Sequence, residues 1–175
     1  MAISGSCAKA TRQQIAAHKQ TYPALNLDPE AVITKGYTAA SARDWALSCL
    51  RDDPDTIPLI YSAVEPDQVK QIQAAYGQQR AAEAFEEFFS ALAQMLVAEH
   101  IPRLLVAGGE TSGAVVDSLL LDQLEIGPEI DPGVPALRAK TASGADLVIA
   151  LKSGNFGAVD FFEKAAACLA GRAAK

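Results

Sequence analysis

The chain has 175 residues, half of them hydrophobic and 21% charged, which is ordinary for one globular domain with a substantial core. Its formal net charge of −6 argues against a nucleic-acid surface, where a basic patch is expected, yet is compatible with an anion held in a local cradle of backbone N–H dipoles. No apolar run approaches the roughly 20 residues of a membrane span, and the N-terminus has no charged-then-apolar leader pattern. The dispersed Cys7, Cys49 and Cys168 fit reduced thiols in a cytoplasmic protein better than a disulfide or zinc framework.

Ala2, Ile3 and Ser4 read as the end of a short strand, Ser4-Gly5-Ser6 as a turn, and residues 11–19 as a helix. The serines are either a plain N-cap or part of a ligand-facing turn. So little sequence precedes this strand that the expectation is a domain of a longer protein, or a separately encoded half. Residues 22–28 form a candidate strand with Leu25 and Leu27 on one face, ended by Pro29. Thr38 or Ser41 opens a helix to about Leu50, in which Trp45 packs on the core, and residues 51–55 are a polar turn. Residues 57–64 read as a third strand with Pro58 at its start. Residues 65–80 form a polar helix, with Val69, Ile72 and Tyr76 at helical spacing and an interruption at Gly77. Phe85, Phe88, Phe89, Leu92, Met95 and Leu96 then mark the longest amphipathic helix, which His100 closes as a C-terminal cation.

The next stretch, residues 104–119, is the most informative. Leu104 to Ala107 has the character of a strand buried on both faces. It breaks at Gly108-Gly109, and Thr111 and Ser112 are placed to cap a helix whose first turns are 113–119. Strand, glycine turn and helix N-terminus together present free N–H groups to an anion. The pattern is neither a Walker A loop nor a G-x-G-x-x-G fingerprint, and a tight strand-to-helix connection is the plainer alternative. Downstream, Leu124 to Ile126 is a short strand leading into a loop over 126–135 with three prolines and two glycines. Residues 138–144 continue as loop, 145–151 form another buried strand, and 158–170 a last helix with Phe161, Phe162, Ala165 and Leu169 inward. Strands separated by helices give an α/β fold, a mostly parallel sheet sandwiched between helices in three layers, with residues 1–175 as one domain.

Three motifs stand in order: Gly-Gly-Glu-Thr-Ser-Gly from Gly108, Gly-Pro-Glu-Ile-Asp-Pro-Gly-Val-Pro from Gly127, and Leu-Lys-Ser-Gly-Asn-Phe-Gly from Leu151. With Ile3-Ser-Gly-Ser-Cys7, Thr11 and Gln14 at the opening, the chain resembles the C-terminal nucleotide-binding domain of the four-carbon acid sugar kinases. That family phosphorylates tetronate-type sugar acids, 3-oxo-tetronate among them, with ATP. The resemblance implies ATP and Mg²⁺ as cofactors. It places the phosphates against Gly108, Gly109, Glu110, Thr111, Ser112 and Gly113, with Ser153, Gly154 and Asn155 opposite and a serine, Ser4 or Ser6, from the opening turn. Lys152 either reaches phosphate or, more commonly for a strand-end lysine, is solvated. Asp131 is the first choice for a metal or substrate-side role, with Glu129 weaker; alternatively Asp131 only organises its own turn. Family members also carry an N-terminal sugar-acid-binding domain, absent from this chain, so the catalytic base is unassigned and this domain alone is expected to bind ATP or ADP without turnover. The remaining partner expectations are a homodimer, no nucleic acid and no membrane. Competing readings are a non-catalytic nucleotide-binding or regulatory domain and, more distantly, a dinucleotide oxidoreductase.

Overall fold

The computed structural model describes residues 1–63 and 66–172; Val64 and Glu65, which the sequence reading assigns to the third strand and the polar helix, lie outside the described residues. In chain order the elements are β1 (Ala2–Ser4), α1 (Lys9–His18), β2 (Ala24–Asn26), α2 (Pro29–Ile33), α3 (Ala39–Asp52), β3 (Leu59–Tyr61) and α4 (Pro66–Tyr76). They continue with α5 (Gln78–Ala98), β4 (Arg103–Ala107), α6 (Gly109–Ser118), β5 (Glu125–Asp131), β6 (Val134–Lys140), β7 (Asp146–Lys152) and α7 (Phe161–Leu169). Among the described residues, seven strands form one sheet in the order β2-β3-β1-β4-β7-β6-β5. The first five in that order are parallel, and β6 and β5 are antiparallel additions at one edge. The α/β sandwich expected from the sequence is therefore correct.

Alternation along the strands divides the core into two layers. Ile3, Ile60, Leu104, Val106 and Ile149 point to one face, where Val32 of α2, Ala42 and Ala46 of α3, Phe89, Leu92 and Leu96 of α5, and Val115 of α6 cover them. Ala2, Leu59, Tyr61, Leu105, Ala107 and Ala150 point to the other, under Ile15 of α1 and Phe161, Phe162, Ala165 and Leu169 of α7. Two covered faces explain why the central strands are continuous apolar runs and why three residues suffice for β1 and β3, all of them buried.

Within the described residues β2 and β3 are shorter than the 22–28 and 57–64 read from the sequence, α1 starts at Lys9 rather than residue 11, and three further boundaries differ in kind. Pro29 does not merely end a strand: it opens α2 at a first-turn position, where its missing N–H costs nothing, and the Asp28 carboxylate accepts from the Glu30 N–H at 3.1 Å. The Pro/Gly segment is not a loop but a hairpin. β5 and β6 pair from Glu125↔Arg138 to Asp131↔Val134 around Pro132-Gly133, with Gly133 at φ 79°, as position i+2 of a type II turn requires. Pro128 is tolerated because β5 is an edge strand, exposed over Glu125 to Glu129, with register shifts in its ladder; Pro132 sits in the turn, and Pro135 precedes Ala136, where pairing with β7 begins. Residues 138–140, expected as loop, complete β6. Third, the helix after β4 starts at Gly109, earlier than Thr111 and Ser112 would place it as caps.

The order of connections locates a crevice. From β1 the chain crosses through α1 to β2 at one edge, whereas from β4 it leaves through α6 toward β5, β6 and β7 at the other. β1 and β4 are neighbours, so their carboxyl ends diverge to opposite faces. That is the topological switch point at which open α/β sheets gather ligands.

Candidate functional site

At the switch point, β4 ends at Ala107 and the backbone turns at Gly108, whose φ of 123° is accessible only without a Cβ. The Gly108 N–H donates to the Lys152 carbonyl at 2.8 Å, and its C=O accepts the first helical bond of α6, from the Ser112 N–H at 2.9 Å. The N–H groups of Gly109, Glu110 and Thr111 thus precede the helical ladder, and the N-cap, Gly108, has no side chain to accept from them. Thr111 and Ser112 are not caps: they lie inside the first turn. Thr111 is buried, packed so that a Cβ on Gly5 would strike its hydroxyl, while the Ser112 hydroxyl is buried with no partner among the described residues. Gly109, Glu110 and Gly113 face solvent, and a Cβ on Gly109 would meet nothing within 4 Å.

The β1 turn lies against this one. The Gly5 N–H donates to the Ala107 carbonyl at 3.1 Å, and the Ser6 Oγ accepts from the Ala8 N–H at 3.2 Å. Ser6 is buried, and a Cβ on Gly108 would lie 3.4 Å from its nitrogen. Ser4 is fully buried, and its Oγ has no partner among the described residues. A buried hydroxyl without a partner costs about 1–3 kcal/mol in a finished structure, so Ser4 and Ser112, on the two elements that meet at the switch point, are features to explain; Gln14 Oε1 and His18 Nδ1 likewise lack a partner among the described residues.

A third turn, following β7, closes the group. Gly154 is packed so tightly on the β1 turn that a Cβ there would strike the Ser6 hydroxyl and lie 2.7 Å from the Ala8 Cβ. Lys152 is 2% exposed, which corrects the expectation of a solvated strand-end lysine. Its Nζ donates to Thr11 Oγ1 at 2.9 Å, to the Ser153 carbonyl at 3.2 Å and to the Gly154 carbonyl at 3.4 Å, and lies 5.6 Å from the Phe161 ring centroid. Burial lowers its pKa to about 8. The Thr11 hydroxyl in turn donates to the Gly154 carbonyl at 2.7 Å. One step along α1, Gln14 Nε2 donates to the carbonyls of Phe156, Gly157 and Ala158 at 3.0, 2.9 and 3.0 Å. In the sequence Thr11 and Gln14 stand only as part of the resemblance; the signal for their role is a polar pair three residues apart on a helix face that is otherwise inward.

Asp131 is buried at the end of β5. Its Oδ2 accepts from the Ala158 N–H at 2.8 Å and its Oδ1 from Lys164 Nζ at 3.0 Å; Lys164 also reaches Asp160 at 3.3 Å. Those carboxylates raise the Lys164 pKa. Glu129 accepts from the Gly133 N–H at 2.8 Å and closes the hairpin turn. Both acids are thus engaged by the protein. His18 is likewise internal: its Nε2 lies 2.8 Å from the Ile57 carbonyl, and burial lowers its pKa. Beside Gly5 and Thr111 a cavity of about 210 Å³ opens between Val69 and Ile72 of α4 and Ala81, Ala82 and Phe85 of α5, with Ser62, Gln73 and Glu110 also lining it.

Residues 1–162 match the family model described as a nucleotide-binding C-terminal domain. A relative from Burkholderia multivorans, named 3-oxo-tetronate kinase, is 45% identical over 171 residues, covering 98% of this chain and 39% of the relative. One of the same name from Brucella melitensis is 43% identical over 164 residues, covering 93% of this chain and 36% of the relative. The crystal structure of a Haemophilus influenzae protein superposes with a TM-score of 0.86 at 38% identity, over 94% of this chain and 39% of that one. The chain therefore spans less than two fifths of the length of these relatives.

Proposed function

This chain belongs to the nucleotide-binding C-terminal domain family, and from that premise we propose that it is the ATP-binding part of a kinase acting on four-carbon sugar acids of the 3-oxo-tetronate type. The observation that carries this reading is the switch-point cradle: the N–H groups of Gly109, Glu110 and Thr111 ahead of the ladder of a ten-residue helix with no side-chain cap, on a turn packed against the β1 turn, with the buried hydroxyls of Ser4 and Ser112 lacking a partner among the described residues. Polyphosphate is the ligand such a cradle suits, because the helix dipole and the N–H groups favour negative charge and the glycines allow main-chain approach. In this reading Ser6 and the Ser153, Gly154 and Asn155 turn flank the phosphates, and Gly113 keeps the exposed side of α6 open. The 210 Å³ cavity is smaller than the roughly 300–1,000 Å³ typical of whole-ligand pockets, and suits the flat base of the nucleotide rather than all of it.

When bound, Mg²⁺ would neutralise and orient the phosphates. The residues of this chain do not fit a dedicated metal site: Asp131 is committed to Lys164 and the Ala158 N–H, and among the described residues no group of three or more His, Cys, Asp or Glu is arranged to hold an ion. The relatives' greater length leaves room for the N-terminal domain that grips the acceptor acid and supplies the base. Phosphoryl transfer is mostly positioning and electrostatics, so this chain alone should bind ATP without turnover. The free thiols of Cys7, Cys49 and Cys168 accord with a cytoplasmic setting.

The direct test is Gly109→Val. Its side chain would enter space that the protein leaves open, so the fold should persist while ATP affinity, measured by calorimetry, falls roughly tenfold or more. Unchanged affinity in a folded variant would put the cradle elsewhere.

A further inference from the structure

Lys152 is an uncommon kind of lysine. Its ammonium is buried, its partners are a hydroxyl and two carbonyls, and among the described residues no carboxylate forms an ion pair with it. A buried cation without a counter-charge is costly unless something else supplies the negative charge. The groups that face it are Thr11 from α1, Phe161 from α7, and Ser153 and Gly154 from its own turn, none of them ionisable. Of the charged residues on the neighbouring helices, Arg12 donates to the Cys7 carbonyl, His18 lies against the Ile57 carbonyl, and Lys164 pairs with Asp131 and Asp160.

The bonds that Lys152, Thr11 and Gln14 make have a directional consequence. The carbonyls of Ser153, Gly154, Phe156, Gly157 and Ala158 are all drawn toward buried donors. In a trans peptide the C=O and the following N–H point in opposite directions, and this chain has no cis bonds among its described residues. Turning the Ser153 and Gly154 carbonyls inward therefore turns the N–H groups of Gly154 and Asn155 outward. The same turn shows what such an outward N–H does: the Gly157 carbonyl is held by Gln14, and the next N–H, that of Ala158, binds the carboxylate of Asp131 at 2.8 Å. One end of the turn thus already binds an anion, while the other end stands over the crevice with Gly154 against Ser6.

We propose that Lys152 is a positioning residue of the nucleotide site: its buried ammonium pins the Ser153-Gly154 turn so that the Gly154 and Asn155 N–H groups face the phosphates, whose charge complements its own. This rests on the nucleotide reading above and extends it from the Gly108 turn to the opposite wall. Lys152 acts through the turn and need not touch the ligand. It is distinct from a P-loop lysine, which reaches phosphate as a point charge.

The test compares ATP with adenosine, which lacks the phosphates, by calorimetry on the full 175-residue chain and its variants. Lys152→Met keeps the length and removes the charge and the donors; Thr11→Val removes the hydroxyl relay with little change of shape. Lys152→Met should weaken ATP roughly 10- to 100-fold while leaving adenosine within about twofold, and Thr11→Val should weaken ATP less, by about 3- to 10-fold. Wild-type affinity for ATP should fall as pH rises through about 8, where Lys152 loses its proton, and the Met variant should lose that dependence. Equal weakening of ATP and adenosine would make Lys152 a purely structural residue and overturn the proposal. So would an unchanged ATP affinity in a wild-type-like background, and in that case the nucleotide reading stands. If the wild type binds neither compound, the nucleotide reading itself fails and takes this proposal with it. Should Lys152→Met not fold, Thr11→Val decides the question alone, by the same ATP-to-adenosine contrast.

Discussion

The Gly108 turn and the Ser153 turn lie side by side and present backbone N–H groups by opposite means. At Gly108 the geometry is local. A left-handed glycine starts a helix at once, and the helix leaves its first N–H groups free because that is what every helix start does. At Ser153 there is no helix to orient the peptides, only a local backbone bond from the Phe156 N–H to the Ser153 carbonyl at 3.2 Å. Three side chains, two of them about 140 positions away in sequence, hold five carbonyls from beneath. The first turn depends on the conformational freedom of one residue, the second on satisfied buried donors. Substitutions should therefore separate them.

The largest effect is expected at the side-chain-built turn. Gln14→Leu removes one donor group shared by three carbonyls, of which only that of Ala158 keeps another donor among the described residues, the Phe161 N–H, and should destabilise the protein by about 3 kcal/mol in chemical denaturation, since each stranded buried acceptor costs about 1–3 kcal/mol and part of the turn is solvated. The Gly108 turn should be intact in that variant. A loss within about 0.5 kcal/mol would show that the turn holds its own shape.

Lys152 gives the comparison a pH axis. Its folded pKa of about 8 lies below the ordinary 10.5, so between those values the unfolded chain binds the extra proton. Stability of the ligand-free protein should therefore rise with pH across that window, by at most about 3 kcal/mol, and Lys152→Met should remove that rise. A parallel pH profile for the two proteins would mean that the ammonium is not desolvated.

At the backbone-built turn, Gly108→Ala forces an L-residue to φ 123° and places a Cβ 3.1 Å from the Thr111 hydroxyl. About 2 kcal/mol should be lost, the ordinary cost of a strained backbone, with Gln14 and Lys152 undisturbed. Smallest is Asp131→Asn, which keeps the shape and the Ala158 acceptor but leaves Lys164 with Asp160 alone. Lys164 is partly solvated, so a drop of about 1–2 kcal/mol is expected by thermal denaturation. An unchanged melting temperature would return Asp131 to consideration as a ligand-facing acid.

Much of this was legible in the amino-acid sequence, for reasons that are local. Buried-strand runs, Thr38 as a cap, Gly77 as an interruption and the inward stripe of α7 follow from hydrophobic period and turn chemistry, which act within a few residues. The Gly108 turn belongs to the same class. The hairpin over 125–140 was not legible, because prolines and glycines read as loop unless one knows that β5 has only one neighbour and can leave its N–H groups to solvent. Nor was the role of Lys152. A strand-end lysine has the same local pattern whether it meets water or a neighbouring helix, and only the docking of α1 and α7 over that end of the sheet put it in the dry. Sequence alone determined the central strands, most of the helices and one wall of the crevice, since their backbone conformation is set by near neighbours. The tertiary structure decided the other wall, since burial and long-range hydrogen bonds exist only once distant segments are packed together.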